Sequence, residues 1–250
     1  MIDFKVSTYK KLIENLIENK YELVSFYNFI SKSPDKTVIL RHDVDKLPSN
    51  SLRIAKILKE LNVTGSFYFR IVNQSFDVPI MEEIASLGHE IGYHYEDLTF
   101  AKGNIDRAIE LFESHLSTFR KVAPINTICM HGSPLSKWDN REIWKHIDYK
   151  KYDIIGEPYF DIDFNEVYYL TDTGRTWNKS SVSVRDKVDS PFKLSFKSTH
   201  DIIQQASSLP NKIMINFHPQ RWNDNPLLWT QELIGQNIKN IVKRYVFVKK

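Results

Sequence analysis

Two hydrophobic periods take turns along the chain. Over residues 5–19, Leu12, Ile13, Leu16 and Ile17 recur at helical spacing among Lys and Glu, which predicts an amphipathic helix. Residues 21–30 predict a second short helix, and Pro34-Asp35 marks a turn. TVILRHDVD (37–45) predicts a short buried strand ending in charges. SLRIAKILKELN (51–62) predicts a helix capped by Ser49 or Ser51. TGSFYFRIV (64–72) predicts a second strand. VPIMEEIASLG (78–88) predicts a helix with Gly88 just past its end, and HEIGYHY (89–95) a third strand. A long amphipathic helix over 104–122 and a fourth strand, NTICMHG (126–132), follow. Between 133 and 180 the pattern loosens, with strands expected at YDIIGE (152–157) and EVYYLTD (166–172). HDIIQQASSL (200–209) predicts a helix, KIMINFH (212–218) a strand and 226–244 a closing helix, with YVFVKK (245–250) a last short strand or a tail.

Strands alternating with helices predict an α/β fold with a parallel sheet. Seven strand candidates in 250 residues suit a barrel-like sheet better than a doubly wound one. No G-x-G-x-x-G or G-x-x-x-x-G-K turn follows a strand, so dinucleotide and P-loop sites are not expected.

Composition narrows the function classes. Apolar residues are 42% and charged residues 26%, ordinary for a globular chain. The net charge of +3 is small and evenly spread, which argues against nucleic acid. The single cysteine, Cys129, excludes an intramolecular disulfide and reads as a small buried apolar residue. No apolar run approaches a membrane span, and the first twenty residues lack a signal-peptide core, so a cytoplasmic location is expected.

Candidate chemistry sits at strand ends, where parallel α/β folds gather their sites. The first strand ends in Asp43 and Asp45, two residues apart and so on one face. Two carboxylates on one face repel unless a cation or a proton separates them. The third strand ends in His94, the fourth in His131 and the last in His218, which precedes Pro219. Neutral imidazoles beside carboxylates suit zinc or another transition metal. His218 is placed to protonate a leaving group. His89 starts the third strand at its opposite edge and is not expected at the site. His115, His146 and His200 read as surface or structural.

The order of these motifs resembles the NodB-type polysaccharide deacetylases, in a divergent branch with an RHDVD first motif. The resemblance covers about residues 37–220. It implies a distorted (β/α)7 barrel and a metal-dependent hydrolase that removes acetyl groups from sugars. One domain is expected over 1–250, with a helical extension over 1–33, a barrel core over 37–220 and a closing helix and tail over 225–250. The resemblance implies Asp43 as general base, Asp45 and His94 as metal ligands and His218 as general acid. The position of the family's second metal histidine, four beyond His94, is Leu98. His131, Glu96 and Asp97 are the candidates for the third ligand, and His131 is favoured because it ends a strand. The family's base-orienting arginine is missing from CMHGSPLSKWD, which leaves Arg175 or Arg41 for that role. TDTGRTW, with Asp172, Arg175 and Trp177, matches the segment lining the acetyl pocket. Arg175, Trp177 and Tyr95 are expected to bind substrate, and Tyr159 is a further aromatic for a sugar face.

The implied cofactor is one divalent metal, zinc first, with cobalt, nickel or iron as substitutes. The implied partner is an acetylated sugar, a nucleotide-linked or lipid-linked sugar or a small glycan precursor of surface polysaccharide. Two other readings stand beside this one: a catalytically degenerate sugar-binding barrel, and a metal hydrolase of another C–N bond with EPYFDIDFNE (157–166) setting its preference. A phosphatase of the haloacid dehalogenase type also uses Asp-x-Asp. It needs a downstream Gly-Asp pair that this chain lacks.

Overall fold

A computed structural model describes residues 2–32, 34–132, 136–177 and 188–246. In chain order the elements are α1 (Val6–Glu18), β1 (Glu22–Val24), α2 (Phe26–Lys32), β2 (Thr37–Val44), α3 (Pro48–Glu60), β3 (Ser66–Phe69), α4 (Val78–Ser86) and β4 (Glu90–Tyr95). There follow α5 (Asp97–Phe100), α6 (Ile105–Arg120), β5 (Ile128–Met130), α7 (Pro158–Asp161), β6 (Tyr168–Thr171), α8 (Thr199–Gln204), β7 (Lys212–Phe217) and α9 (Pro226–Val246). The strands form one all-parallel sheet in the order β5-β4-β3-β2-β7-β6. The seventh, β1, pairs with the first half of β2 on the edge where β3 pairs with the second half. Beyond β5, a parallel bridge from Thr127 to Gly156 extends the wall.

Side-chain alternation along each strand builds two layers from this one sheet. Val38, Leu40 and Val44 of β2 face the helices. They share the main core with Phe67 and Phe69, Tyr93 and Tyr95, Ile213, Ile215 and Phe217. The intervening positions Ile39, Tyr68, Cys129, Tyr169 and Met214 form a second buried cluster drawn from five strands. Inner residues of both outer strands meet in that cluster, so the sheet curls on itself as an open (β/α)7 barrel.

The inner positions stack in rows. Asp43 pairs in register with Tyr68, and Tyr68 with Gly92. A Cβ at Gly92 would stand 2.3 Å from the Tyr68 ring, so glycine is the residue that lets this tyrosine fill the barrel. Tyr68 ends on Thr127, 2.8 Å away.

Several local expectations change. Residues 21–30 split into β1 and the start of α2, because the chain must reach β2 as an extra strand. Neither Ser49 nor Ser51 caps α3; Leu47 precedes it in a left-handed conformation and Pro48 opens it. YDIIGE contributes the single bridge at Gly156 and no strand. Residues 245–246 continue α9, and 247–250 lie outside the described residues. Residues 133–135, just after His131, also lie outside them. The N-terminal extension is part of the barrel's packing: Tyr9, Leu12, Ile13 and Leu16 of α1 belong to the main core. The Tyr9 hydroxyl is 2.9 Å from His42 Nε2.

Candidate active site

RHDVD alternates between the two layers. His42 points to the helices, flat against Phe67 at 4.3 Å, with Nδ1 3.0 Å from the Ser66 carbonyl. Burial pushes its pKa down to about 3, so it is a neutral core histidine. Arg41 and Asp43 point into the barrel. Arg41 Nε donates to Asp43 Oδ1 at 2.8 Å and its second terminal nitrogen to Oδ2 at 2.7 Å. Asn216, the register partner of Arg41 on β7, donates to Asp43 Oδ2 at 2.9 Å. Of the two arginines considered for the base, Arg41 is the one on Asp43. Arg175 lies over the Trp229 ring, 4.4 Å from its centre, and donates to the Trp229 carbonyl.

Above this pair, strand ends converge. Asp45 Oδ1 stands 3.7 Å from His94 Nε2 and 3.6 Å from His131 Nε2. These three donors lie within 4.8 Å of one another. His218 Nε2 is 4.0 Å from Asp45 Oδ2. His94 Nε2 also stands 3.7 Å from Asp43 Oδ2. Four widely separated stretches of sequence therefore meet around one carboxylate.

The donor set fits a divalent cation. Asp45 Oδ1 is buried and accepts no hydrogen bond from the described residues. Donors about 2.1 Å from a tetrahedral centre stand about 3.4 Å apart, close to the spacings here. Each imidazole is fixed through its other nitrogen, the arrangement that aims Nε2 at a metal. His94 Nδ1 lies 2.9 Å from the Cys129 carbonyl, and His131 Nδ1 2.9 Å from Glu96 Oε2. Glu96 is held in turn by Arg70 at 2.7 Å. Burial and then the neighbouring His131 hold His94 well below the usual imidazole range, which keeps it a neutral donor. Burial pushes the Asp45 carboxyl up, but His131, His218 and His94 outweigh this and hold it below the usual range.

The other third-ligand candidates turn elsewhere. Glu96 serves His131, and Asp97 is buried between Tyr93 and His115, accepting from Tyr93 at 2.9 Å with His115 Nδ1 at 2.6 Å. His115, read as surface or structural, thus has two partners. Leu98 packs with Ala108 and Ile143, so the position four beyond His94 faces an apolar cluster and not the barrel. A second donor set, Asp43, His94 and Cys129, lies one step deeper, but Asp43 is already bonded there by Arg41 and Asn216.

His218 is fixed from behind by Asp172. Its Nδ1 lies 2.6 Å from Asp172 Oδ1, and its backbone N–H donates to the same carboxylate. Arg221 and the Trp222 indole N–H donate to Asp172 at 2.7 Å each. Burial pushes Asp172 up, and Arg221 and His218 more than offset it. Gln220 donates to Asp45 Oδ2 at 3.0 Å.

Two expected substrate contacts are corrected. Tyr95 follows His94 in a strand, so it faces the opposite layer. It is fully buried, with its ring against Trp144 at 5.4 Å and its hydroxyl toward Glu157. Trp177 is buried among Phe4, Phe217 and Trp222, with its N–H on Thr199. Tyr159 is the aromatic the structure brings to Asp43's side. Its ring centre is 5.2 Å from both the Arg41 and the Arg141 guanidinium. The acids of 157–166 are largely structural: Glu157 accepts from the Met130 and Tyr159 N–H groups, and burial pushes it up to about 7. Asp161 accepts from Tyr149.

Residue types and strand ends pointed to Asp43, Asp45, His94, His131 and His218. Glu96 was a candidate ligand and instead holds His131; Asn216, Gln220, Arg221 and Arg70 were missed. Strand parity flags Asn216, two before His218; Arg70 directly follows β3, and Gln220 and Arg221 lie in a single 3-10 turn after His218, too short to carry a period.

No family model matches the sequence, and no curated protein does. Among solved structures, the chain is similar to a CE4 family pseudoenzyme from Bacillus anthracis, at 14% identity and a TM-score of 0.47 over 84% of this chain and 62% of that one. A mutant of that pseudoenzyme with restored enzymatic activity matches at 15%, 0.48, 84% and 64%. Bacillus subtilis PdaA, a family 4 carbohydrate esterase, matches at 12%, 0.44, 91% and 83%. The chain spans less than two thirds of the length of the first two. The likeness is one of architecture, and what the site can do follows from its own side chains.

Proposed function

We propose that the protein is a metal-dependent hydrolase that removes an acetyl group from an amino sugar or glycan precursor. The observation that carries this reading is the convergence of Asp45, His94 and His131 beside Asp43, with His218 across the same carboxylate. Asp45, His94 and His131 would hold the cation. A bound divalent metal supplies Lewis acidity to a water and to an acyl carbonyl.

The chain's own groups do the rest. Arg41 and Asn216 fix the Asp43 carboxylate next to the donors, as the group to take a proton from an attacking water. Asp172 holds His218 by Nδ1 and leaves Nε2 facing the Asp45 side. From there His218 can hand a proton to the leaving amine or hydroxyl. Tyr159, half-buried and with the Arg41 and Arg141 guanidinium groups 5.2 Å from its ring centre, is the aromatic nearest the Asp43 side for a sugar to meet. One base and one acid with opposite tasks predict a bell-shaped pH profile.

The test is metal content by elemental analysis, comparing wild type with Asp45→Ala, followed by acetate release from a panel of acetylated sugars. About one metal per chain in wild type, little in the variant and acetate release lost with Asp43→Asn are expected. A wild-type protein that takes up no zinc, cobalt or nickel would overturn the reading. Sugar binding without metal and without acetate release would favour the degenerate binding barrel.

A further inference from the structure

The long helix α9 is amphipathic the wrong way round for a helix resting on its own barrel. The side toward the barrel is largely polar. Glu232 pairs with Lys46 at 3.0 Å, Asn240 donates to the Gly174 carbonyl at 2.8 Å, and Gln236 is buried. Trp229 adds its N–H to the Asp3 carbonyl. At 100° per residue, positions 229, 232, 233, 236 and 240 share that side. The opposite side carries Leu227, Ile234, Ile238 and Ile241, exposed by 66%, 55%, 58% and 58%, with Leu228 and Val242 on its flank at 46% and 48%. No charge interrupts the stripe, whose remaining positions are Gln231 and Gly235. A Cβ built on Gly235 would meet nothing.

The spacing of the stripe fits a second helix, and its area fits a second copy of this chain. Leu227, Ile234 and Ile241 repeat every seven residues, and Gln231 and Ile238 fall four beyond the first two. This alternation of four and three lines the apolar positions up as one seam on which a second helix can pack. The stripe alone amounts to a few hundred Å² per chain, as large as the largest apolar patches of monomers. Two copies face to face bury on the order of 1,000 Å² once the flanking residues are included, the lower limit for a specific interface. The barrel contacts of α9, through Lys46, Gly174 and Asp3, all lie on the side away from the stripe.

We propose that α9 is a self-association helix, joining two copies of this chain stripe to stripe with a micromolar dissociation constant. Gln231 sets the register at an otherwise aliphatic seam. The polar face of α9 holds Lys46, next to Asp45, and the Gly174 loop, so the pair forms beside the rim of the site.

Sedimentation velocity of the full chain from about 1 to 200 µM tests this. The mass should rise with concentration from 29.4 kDa toward twice that value. Ile234→Glu/Ile238→Glu should stay at one chain throughout with unchanged circular dichroism, and Ile238→Leu should still associate. Should the double Glu variant misfold, Ile234→Ser/Ile241→Ser serves in its place and should weaken association at least tenfold. A wild type that stays at one chain, or variants that associate as it does, would overturn the proposal. So would a monomeric wild type that floats with phosphatidylcholine–phosphatidylglycerol vesicles, which would assign the stripe to a bilayer surface.

Discussion

Arg41 and Asp43 form a two-point ion pair within a single strand, Nε to Oδ1 at 2.8 Å and the second terminal nitrogen to Oδ2 at 2.7 Å. Both side chains are almost fully buried. A planar fork two residues from a carboxylate fixes both of its oxygens, which an ammonium cannot do. Arg41→Lys should therefore lower acetate release by about 10–100-fold, with metal content unchanged. Arg41→Met strands a buried carboxylate, at a cost of roughly 3–5 kcal/mol read from urea midpoints. Full turnover in Arg41→Lys would remove Arg41 from the positioning role.

Glu96 should tune metal affinity without touching metal. It accepts from His131 Nδ1 and is itself held by Arg70. Partners of this kind change affinity by about 10–100-fold when replaced. Glu96→Gln should weaken zinc binding by that factor in competition with a chromogenic chelator. Equal affinity in the variant would count against His131 as a ligand.

His42 should shape acid stability. Burial lowers its folded pKa from 6.5 to about 3, so the unfolded chain binds the proton first. Its contribution is complete above pH 6.5 and is lost as pH falls toward 3. One proton of difference is about 1.4 kcal/mol per pH unit. His42→Phe keeps the ring between Phe67 and Phe217 and should flatten the acid limb of the stability curve by up to that slope. An unchanged slope from pH 6 to 4 would show that His42 is charged in the folded state.

Gly92→Ala should be costly for a single methyl group. The added carbon meets the ring of Tyr68, which is buried and tied to Thr127. Overpacking of this kind costs about 1–3 kcal/mol. Combining it with Tyr68→Leu, which vacates the space, should recover part of the loss in thermal unfolding. Additive losses would place the strain elsewhere.

Much of the architecture was legible from local chemistry. Strand period against helix period located the core strands β2, β3, β4, β5 and β7, because burial on both faces demands short apolar runs. Parity within RHDVD placed Asp43 and Asp45 on one face, and the same rule applied to HEIGYHY would have turned Tyr95 away from His94. The short β1 went unseen because three residues carry no period.

What the chain order alone determines is a parallel sheet in which β2, β4, β5 and β7 each end in or next to an acid or an imidazole. Which of those ends meet is decided by the curl of the sheet. It brings His131, after β5, to Asp45, after β2, with two strands between them, and leaves Leu98, only four residues from His94, against an apolar cluster. Arg41 meets Asp43 by parity within one strand, the register of β7 against β2 adds Asn216, and tertiary packing drives Trp177 into the core. Alternation along a strand is a local property of the backbone. Distances between strand ends depend on the closure of the barrel, to which every strand contributes.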